Sequence, residues 1–139
     1  MQLPVLGTSP GSSGGGSVGG SGVDMPGSDF VRGLANAIEG EGRFGLHDRM
    51  LYSTDASLYQ VEPLGVVVPA SVEDAERAMR YCLERGVPVL PRGGGTSLAG
   101  QCTNRAVVID LSPRCNALVR VAEDGRSCEV EPGITVRLM

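Results

Sequence analysis

Residues 64–101 read LGVVVPASVEDAERAMRYCLERGVPVLPRGGGTSLAGQ, and the fold is decided in this stretch. Leu64-Gly65-Val66-Val67-Val68 is a continuous apolar run bounded by prolines. A run without alternation predicts a strand covered on both faces. Ser71 then caps a helix, and Asp74, three residues on, completes a capping-box-like arrangement. Val72, Ala75, Met79, Cys82 and Leu83 fall on one face of that helix. Glu73–Arg77 and Glu76–Arg80 stand at i,i+4 on the other side with the acid first, a spacing that contributes ~0.3 kcal/mol per pair. Gly86 closes the helix, and Val87-Pro88-Val89-Leu90 reads as a second buried strand. Strand, helix and strand joined by short links make a βαβ unit.

The segment Pro91-Arg92-Gly93-Gly94-Gly95-Thr96-Ser97-Leu98-Ala99-Gly100-Gln101 leaves the carboxyl end of that second strand, where α/β sheets place ligands. Consecutive glycines remove every Cβ, so backbone N–H groups can converge on an anion and approach it closely. Thr96 and Ser97 add hydroxyl donors. Arg92 either supplies positive charge to a pyrophosphate or lies on the surface. Two familiar phosphate motifs are absent. From Gly95 to Gly100 the spacing suits a Walker A loop, but Gln101-Cys102 replaces its lysine and hydroxyl residue. Gly93 and Gly95 begin a Rossmann fingerprint, but Leu98 stands where its third glycine belongs. A plain glycine-rich turn is the alternative; the length of the segment favours anion binding over it.

Working outward, Ala106-Val107-Val108-Ile109 is a third apolar strand ending at Asp110. Ala117 to Val121 and Cys128 to Val130 flank Asp124-Gly125, a hairpin turn signal. Ile134 to Met139 looks like the opening of another element, so the chain is expected to be cut short within its domain. Upstream, Ser28-Asp29 starts an amphipathic helix carrying Phe30, Leu34 and Ile38, with Val31 and Ala35 beside them, and Gly40 and Gly42 end it. From Arg43 to Gln60 the sequence is turn-rich, and periodicity says little. From Met1 to Gly27 it is mostly Gly, Ser and Pro with Asp24 as its only charged side chain, the composition of a flexible tail.

Composition narrows the function classes. A formal net charge of −4 argues against a nucleic-acid module, which needs a basic stripe. Cys82, Cys102, Cys115 and Cys128 lie far apart, and the one histidine, His47, is at no metal-ligand spacing from them. Mostly buried free thiols are expected rather than a zinc or iron–sulfur site. No basic n-region precedes an apolar segment, and no apolar run approaches the roughly 18 residues of a membrane span. A cytoplasmic location is the expectation.

The phrases PRGGGTSLAGQ and VVVPASVEDAERAMRYCLERGVPVLP together resemble the FAD-binding domain of the vanillyl-alcohol oxidase / p-cresol methylhydroxylase (PCMH) family. Within it the chain is most similar to the FAD-linked dehydrogenases of D-2-hydroxy acids, of the D-lactate, glycolate and D-2-hydroxyglutarate types. The phrase YSTDASLYQ from Tyr52 to Gln60 fits the same branch. The resemblance covers Leu51 to Met139. It implies an α+β fold, the first βαβ-containing subdomain of a PCMH-type FAD-binding domain truncated at its carboxyl end. The chain then divides into a tail over 1–27, a helix and irregular lead-in over 28–63, and a partial FAD-binding domain over 64–139.

The resemblance further implies that Arg92 to Gln101 wraps the FAD pyrophosphate, with Gly93, Gly94, Gly95, Thr96, Ser97, Gly100 and Gln101 nearest. Pro69 would border the adenine side, and Pro132 and Gly133 would lie on the cofactor's path. Some relatives hold flavin through a histidine near this loop. The loop here has none and His47 is far from it in sequence, so non-covalent FAD is expected. The activity implied is flavin-dependent oxidation of a D-2-hydroxy acid, with hydride passing to flavin N5 in the full-length enzyme. No residue of this stretch is expected to be catalytic, and the chain alone is not expected to turn over substrate. The alternative is a non-catalytic nucleotide-binding module or vestigial fragment. Asp55 and Asp110 read as turn-capping residues, and Cys102 as a small buried one.

Overall fold

The computed structural model of the chain describes residues 24–135. The tail expected over 1–27 lies outside these residues up to 23, as does the further element expected near the carboxyl end from 136 onward. In chain order the elements are α1 (Ser28–Ala37), β1 (Glu41–Arg43), α2 (Leu46–Leu51), β2 (Gly65–Val68), α3 (Val72–Leu83), β3 (Val89–Arg92), β4 (Val107–Asp110), β5 (Leu118–Val121) and β6 (Cys128–Val130). The first four strands form one sheet in the order β1-β2-β4-β3, and β5 and β6 form a separate ribbon. β2, β4 and β3 run parallel, while β1 pairs antiparallel with β2.

The unbroken apolar runs follow from a sheet covered on both faces. Val67, Val107 and Ile109 point to one side, where they pack with Leu34, Ile38, Ala75, Ala78 and Cys82 of the α1–α3 layer. Val66, Val68 and Val108 point to the other and meet Tyr52 and Leu90. Each fully buried valine or leucine contributes about 1.5–3 kcal/mol.

Three expectations need correction. Val87 to Leu90 is not a second buried strand: β3 spans Val89–Arg92, is only half-buried, and lies at the sheet edge because β4 inserts between it and β2. An edge place also accommodates Pro91, which has no N–H for a second neighbour. On α3, Leu83 is exposed, and the buried face is Asp74, Ala75, Ala78 and Cys82. Arg77 turns to Glu39 and Asp74, at 2.8 and 2.9 Å, rather than to Glu73.

Asp74 explains why the helix is rotated this way. Ser71 Oγ accepts the Asp74 N–H as a cap, but the fully buried Asp74 carboxylate accepts three backbone N–H groups from elsewhere. Oδ1 takes Glu39, and Oδ2 takes Gly40 and Ala70, at 2.8–2.9 Å. One carboxylate thereby joins the end of α1, the approach to β1 and the β2–α3 link. Burial alone would raise its pKa, yet the Ala70, Glu39 and Gly40 N–H groups and Arg77 outweigh it and hold the carboxyl below the ordinary range.

β1 escapes sequence reading because Glu-Gly-Arg carries no apolar pattern. The pairing of Glu41–Arg43 with Val66–Val68 makes it a strand. The hairpin is as expected, with Gly125 at φ +66° in its turn. Among the described residues no helix is long and apolar enough to cross a membrane.

Candidate functional site

Because β2, β4 and β3 are parallel and in register, their carboxyl ends share one edge of the sheet. Pro69, Leu111 and Gly93 are the first residues beyond that edge, and the glycine-rich segment leaves from it. Two of its glycines hold backbone conformations that a side chain rarely tolerates, Gly95 at φ +66° and Gly100 at φ +79°. A Cβ on Gly95 would fall 2.5 Å from Arg92 Nη2, and one on Gly100 would fall 2.6 Å from the Tyr59 ring. Gly94 differs: it is exposed, and a Cβ there meets nothing closer than Thr96 Cγ2 at 3.7 Å. Among the described residues, the N–H groups of Gly94, Gly95, Thr96 and Ser97 donate to no acceptor within the chain. The Ser97 hydroxyl donates to Gln101 Oε1 across the loop.

Pro132 and Gly133 come to the same place. The Pro132 carbonyl lies 3.9 Å from where a Gly93 Cβ would stand, and the Gly133 N–H donates to Cys115 O at 2.8 Å. Close packing alone demands the glycine here, since a Cβ would sit 2.1 Å from Leu111 O. Pro69 is fully buried at the exit of β2. His47 is on α2 and exposed.

The sequence singled out Arg92 and Asp55, but not the contacts through which they grip the loop. Arg92 Nη1 donates to the carbonyls of Thr54 at 2.9 Å and Cys102 at 3.1 Å, with Tyr52 O at 3.5 Å. Its guanidinium also lies 5.3 Å from the Tyr52 ring centroid. Asp55 caps its own turn, Oδ1 accepting Ser57 N–H at 2.8 Å, and in addition Oδ2 accepts Cys102 N–H at 3.2 Å. The Ser57 side chain, the Ser57 and Cys102 N–H groups and the nearby Arg92 charge keep the Asp55 carboxyl below its usual range. Ala56 N–H donates to Gly95 O at 3.1 Å. Asp110 forms the expected turn, Oδ1 accepting the Ser112 N–H and hydroxyl, while Oδ2 accepts the Tyr52 hydroxyl at 2.6 Å. Cys102 is partly exposed rather than buried, and Cys128 is exposed. The YSTDASLYQ phrase marked this segment, but its contacts span 38 to 58 residues and no local pattern encodes them.

The arrangement is chemically suited to a pyrophosphate: free N–H groups, no Cβ from Gly93 to Gly95, and a fixed cation beside the loop. Over residues 63–139, more than half of its length, the chain matches a family described as an FAD binding domain. It is 33% identical over 103 residues to the D-2-hydroxyglutarate dehydrogenase of Pantoea ananatis, covering 72% of this chain and 10% of that one. It is likewise 33% identical over 88 residues to the glycolate oxidase subunit GlcD of Bacillus subtilis, covering 62% of this chain and 19% of the relative. The chain thus aligns with about a tenth to a fifth of the length of these relatives. Among solved structures, an alkyldihydroxyacetonephosphate synthase superimposes with a TM-score of 0.66 at 25% identity, covering 81% of this chain and 24% of that one. For p-cresol methylhydroxylase the TM-score is 0.65 at 17% identity, covering 77% and 22%, a likeness of fold alone.

Proposed function

The chain belongs to the family of FAD binding domains, and from that premise we propose that it is the pyrophosphate-binding part of a flavin-dependent oxidoreductase acting on a D-2-hydroxy acid. The observation that carries the reading is the glycine loop at the carboxyl edge of the parallel strands, with unengaged N–H groups at Gly94 to Ser97 and Arg92 beneath it. Gly93, Gly94, Gly95, Thr96, Ser97, Gly100 and Gln101 line the pyrophosphate, Pro69 borders the adenine side, and Pro132 and Gly133 flank the cofactor's path. Non-covalent FAD is part of this proposal: the loop carries no histidine, and His47 stands far from it in the sequence.

Flavin, when bound, supplies the hydride-accepting chemistry at its N5 position. This chain binds and orients the cofactor's phosphates; substrate binding and proton removal belong to the rest of the enzyme. The D-2-hydroxy acid is inferred from the names of the dehydrogenase and oxidase relatives. The test is the absorbance spectrum of the purified chain reconstituted with FAD. A flavin band retained on gel filtration and released into the filtrate on denaturation supports the reading; a folded chain that stays colourless rejects it.

A further inference from the structure

We propose that Asp55 and Arg92 are positioning residues that clamp the glycine-rich loop into its ligand-ready shape through backbone groups, Arg92 acting from beneath the loop rather than as a direct phosphate ligand. The inference rests on the reading of the loop as the phosphate site, but it is argued from contacts within the chain. Segment 52–59 is the loop's outer wall. It touches the loop near both ends: Ala56 N–H reaches Gly95 O at 3.1 Å, and Asp55 Oδ2 receives Cys102 N–H at 3.2 Å. Arg92 closes the bracket by donating from one nitrogen to Thr54 O and Cys102 O, which ties the wall to the loop's exit.

The guanidinium therefore faces carbonyls on its Nη1 side and Gly95 on its Nη2 side, where a Cβ would collide at 2.5 Å. The close approach of Gly95 to Arg92 and the positive φ of Gly95 are two sides of one arrangement. Asp55 is needed as an acceptor at both oxygens, since each faces an N–H. Its negative charge offsets part of the Arg92 charge, and the loop from Arg92 to Gln101 carries no carboxylate of its own.

Two variants of the full chain separate clamping from simple charge attraction. Asp55→Asn replaces one acceptor by a donor facing an N–H. Arg92→Lys keeps the positive charge on a shorter, flexible stem, whose ammonium falls short of the Nη1 position that meets the Thr54 and Cys102 carbonyls. Amide hydrogen exchange by NMR reads the clamp directly, and titration with FAD reads its consequence. The expected result in both variants is at least tenfold faster exchange at Ala56 and Cys102, unchanged protection at Val67, Val108 and Ile109, and at least tenfold weaker FAD binding. Wild-type exchange at Ala56 and Cys102 in either variant overturns the proposal. Uniform loss of protection through β2 and β4 also overturns it, because the residues then hold the whole fold. So does a loosened loop with undiminished FAD affinity. A wild-type chain that binds no FAD fails the reading of the ligand instead, and the exchange data still decide whether the two residues hold the loop.

Discussion

The Tyr52 hydroxyl donates to Asp110 Oδ2 at 2.6 Å, linking the wall of the loop to the end of the central strand β4. Burial, followed by this hydrogen bond to the carboxylate, pushes the Tyr52 pKa up from 10.0 to about 12. A raised folded-state pKa means the bond's stabilisation is fully present below pH 10 and is lost as pH rises through about 12. Tyr52→Phe is expected to lower stability by about 1–2 kcal/mol at neutral pH. Urea unfolding of both proteins should show that gap narrowing as pH climbs from 10 towards 12; a gap independent of pH would contradict the assignment.

Asp74 is the second linchpin. With three backbone N–H groups and Arg77 on two oxygens, Asp74→Asn turns one acceptor into a donor against an N–H and should destabilise by about 2–4 kcal/mol. Its folded pKa is depressed, so its stabilisation is present above the ordinary value of 3.8 and is lost as pH falls through the lower folded value. Acid titration of stability should therefore show a component below pH 3.8 that the variant lacks.

The glycines of the loop should separate by mechanism. Gly95→Ala meets both a positive φ and Arg92, so thermal unfolding should fall by about 1–2 kcal/mol in stability. Gly94→Ala has neither problem and should leave stability within about 0.5 kcal/mol of wild type. Equal losses at the two positions would mean the loop's shape is not what the Arg92 contact imposes.

Thiol labelling checks the packing of the cysteines. Burial pushes the Cys82 thiol up to about 11 and also raises Cys115, so both should resist alkylation in the native chain. Cys128 and Cys102 should label, with all four reacting after denaturation. Mass spectrometry showing native labelling of Cys82 would place the helix face elsewhere.

Much of this was legible in the sequence because it is local. The apolar run of β2, the Ser71 cap, β4 and the Asp124-Gly125 turn each declare themselves within a few residues, and the three consecutive glycines announce a backbone-built site. Strand order is not local. Nothing in Val87 to Leu90 says that β4 will insert beside it and leave it at an edge. Leu83 matches the helical period, yet the face was set by Asp74, whose partners at Glu39 and Gly40 lie 35 and 34 residues upstream. The clamp on the loop was hidden for the same reason: Asp55 looks like a turn cap, and Arg92 like either a pyrophosphate ligand or a surface cation, until segment 52–59 is folded against the loop.

The most direct test of the central claim is calorimetric titration of the folded chain with FAD, wild type against Gly94→Val. Gly94 is exposed and its Cβ meets no close neighbour, so the valine leaves the fold intact while crowding the face of the loop. One FAD bound per chain, weakened at least tenfold by Gly94→Val with unchanged thermal stability, is the predicted result. Binding of equal strength in both proteins, or none in a folded wild-type chain, would contradict FAD recognition through this loop.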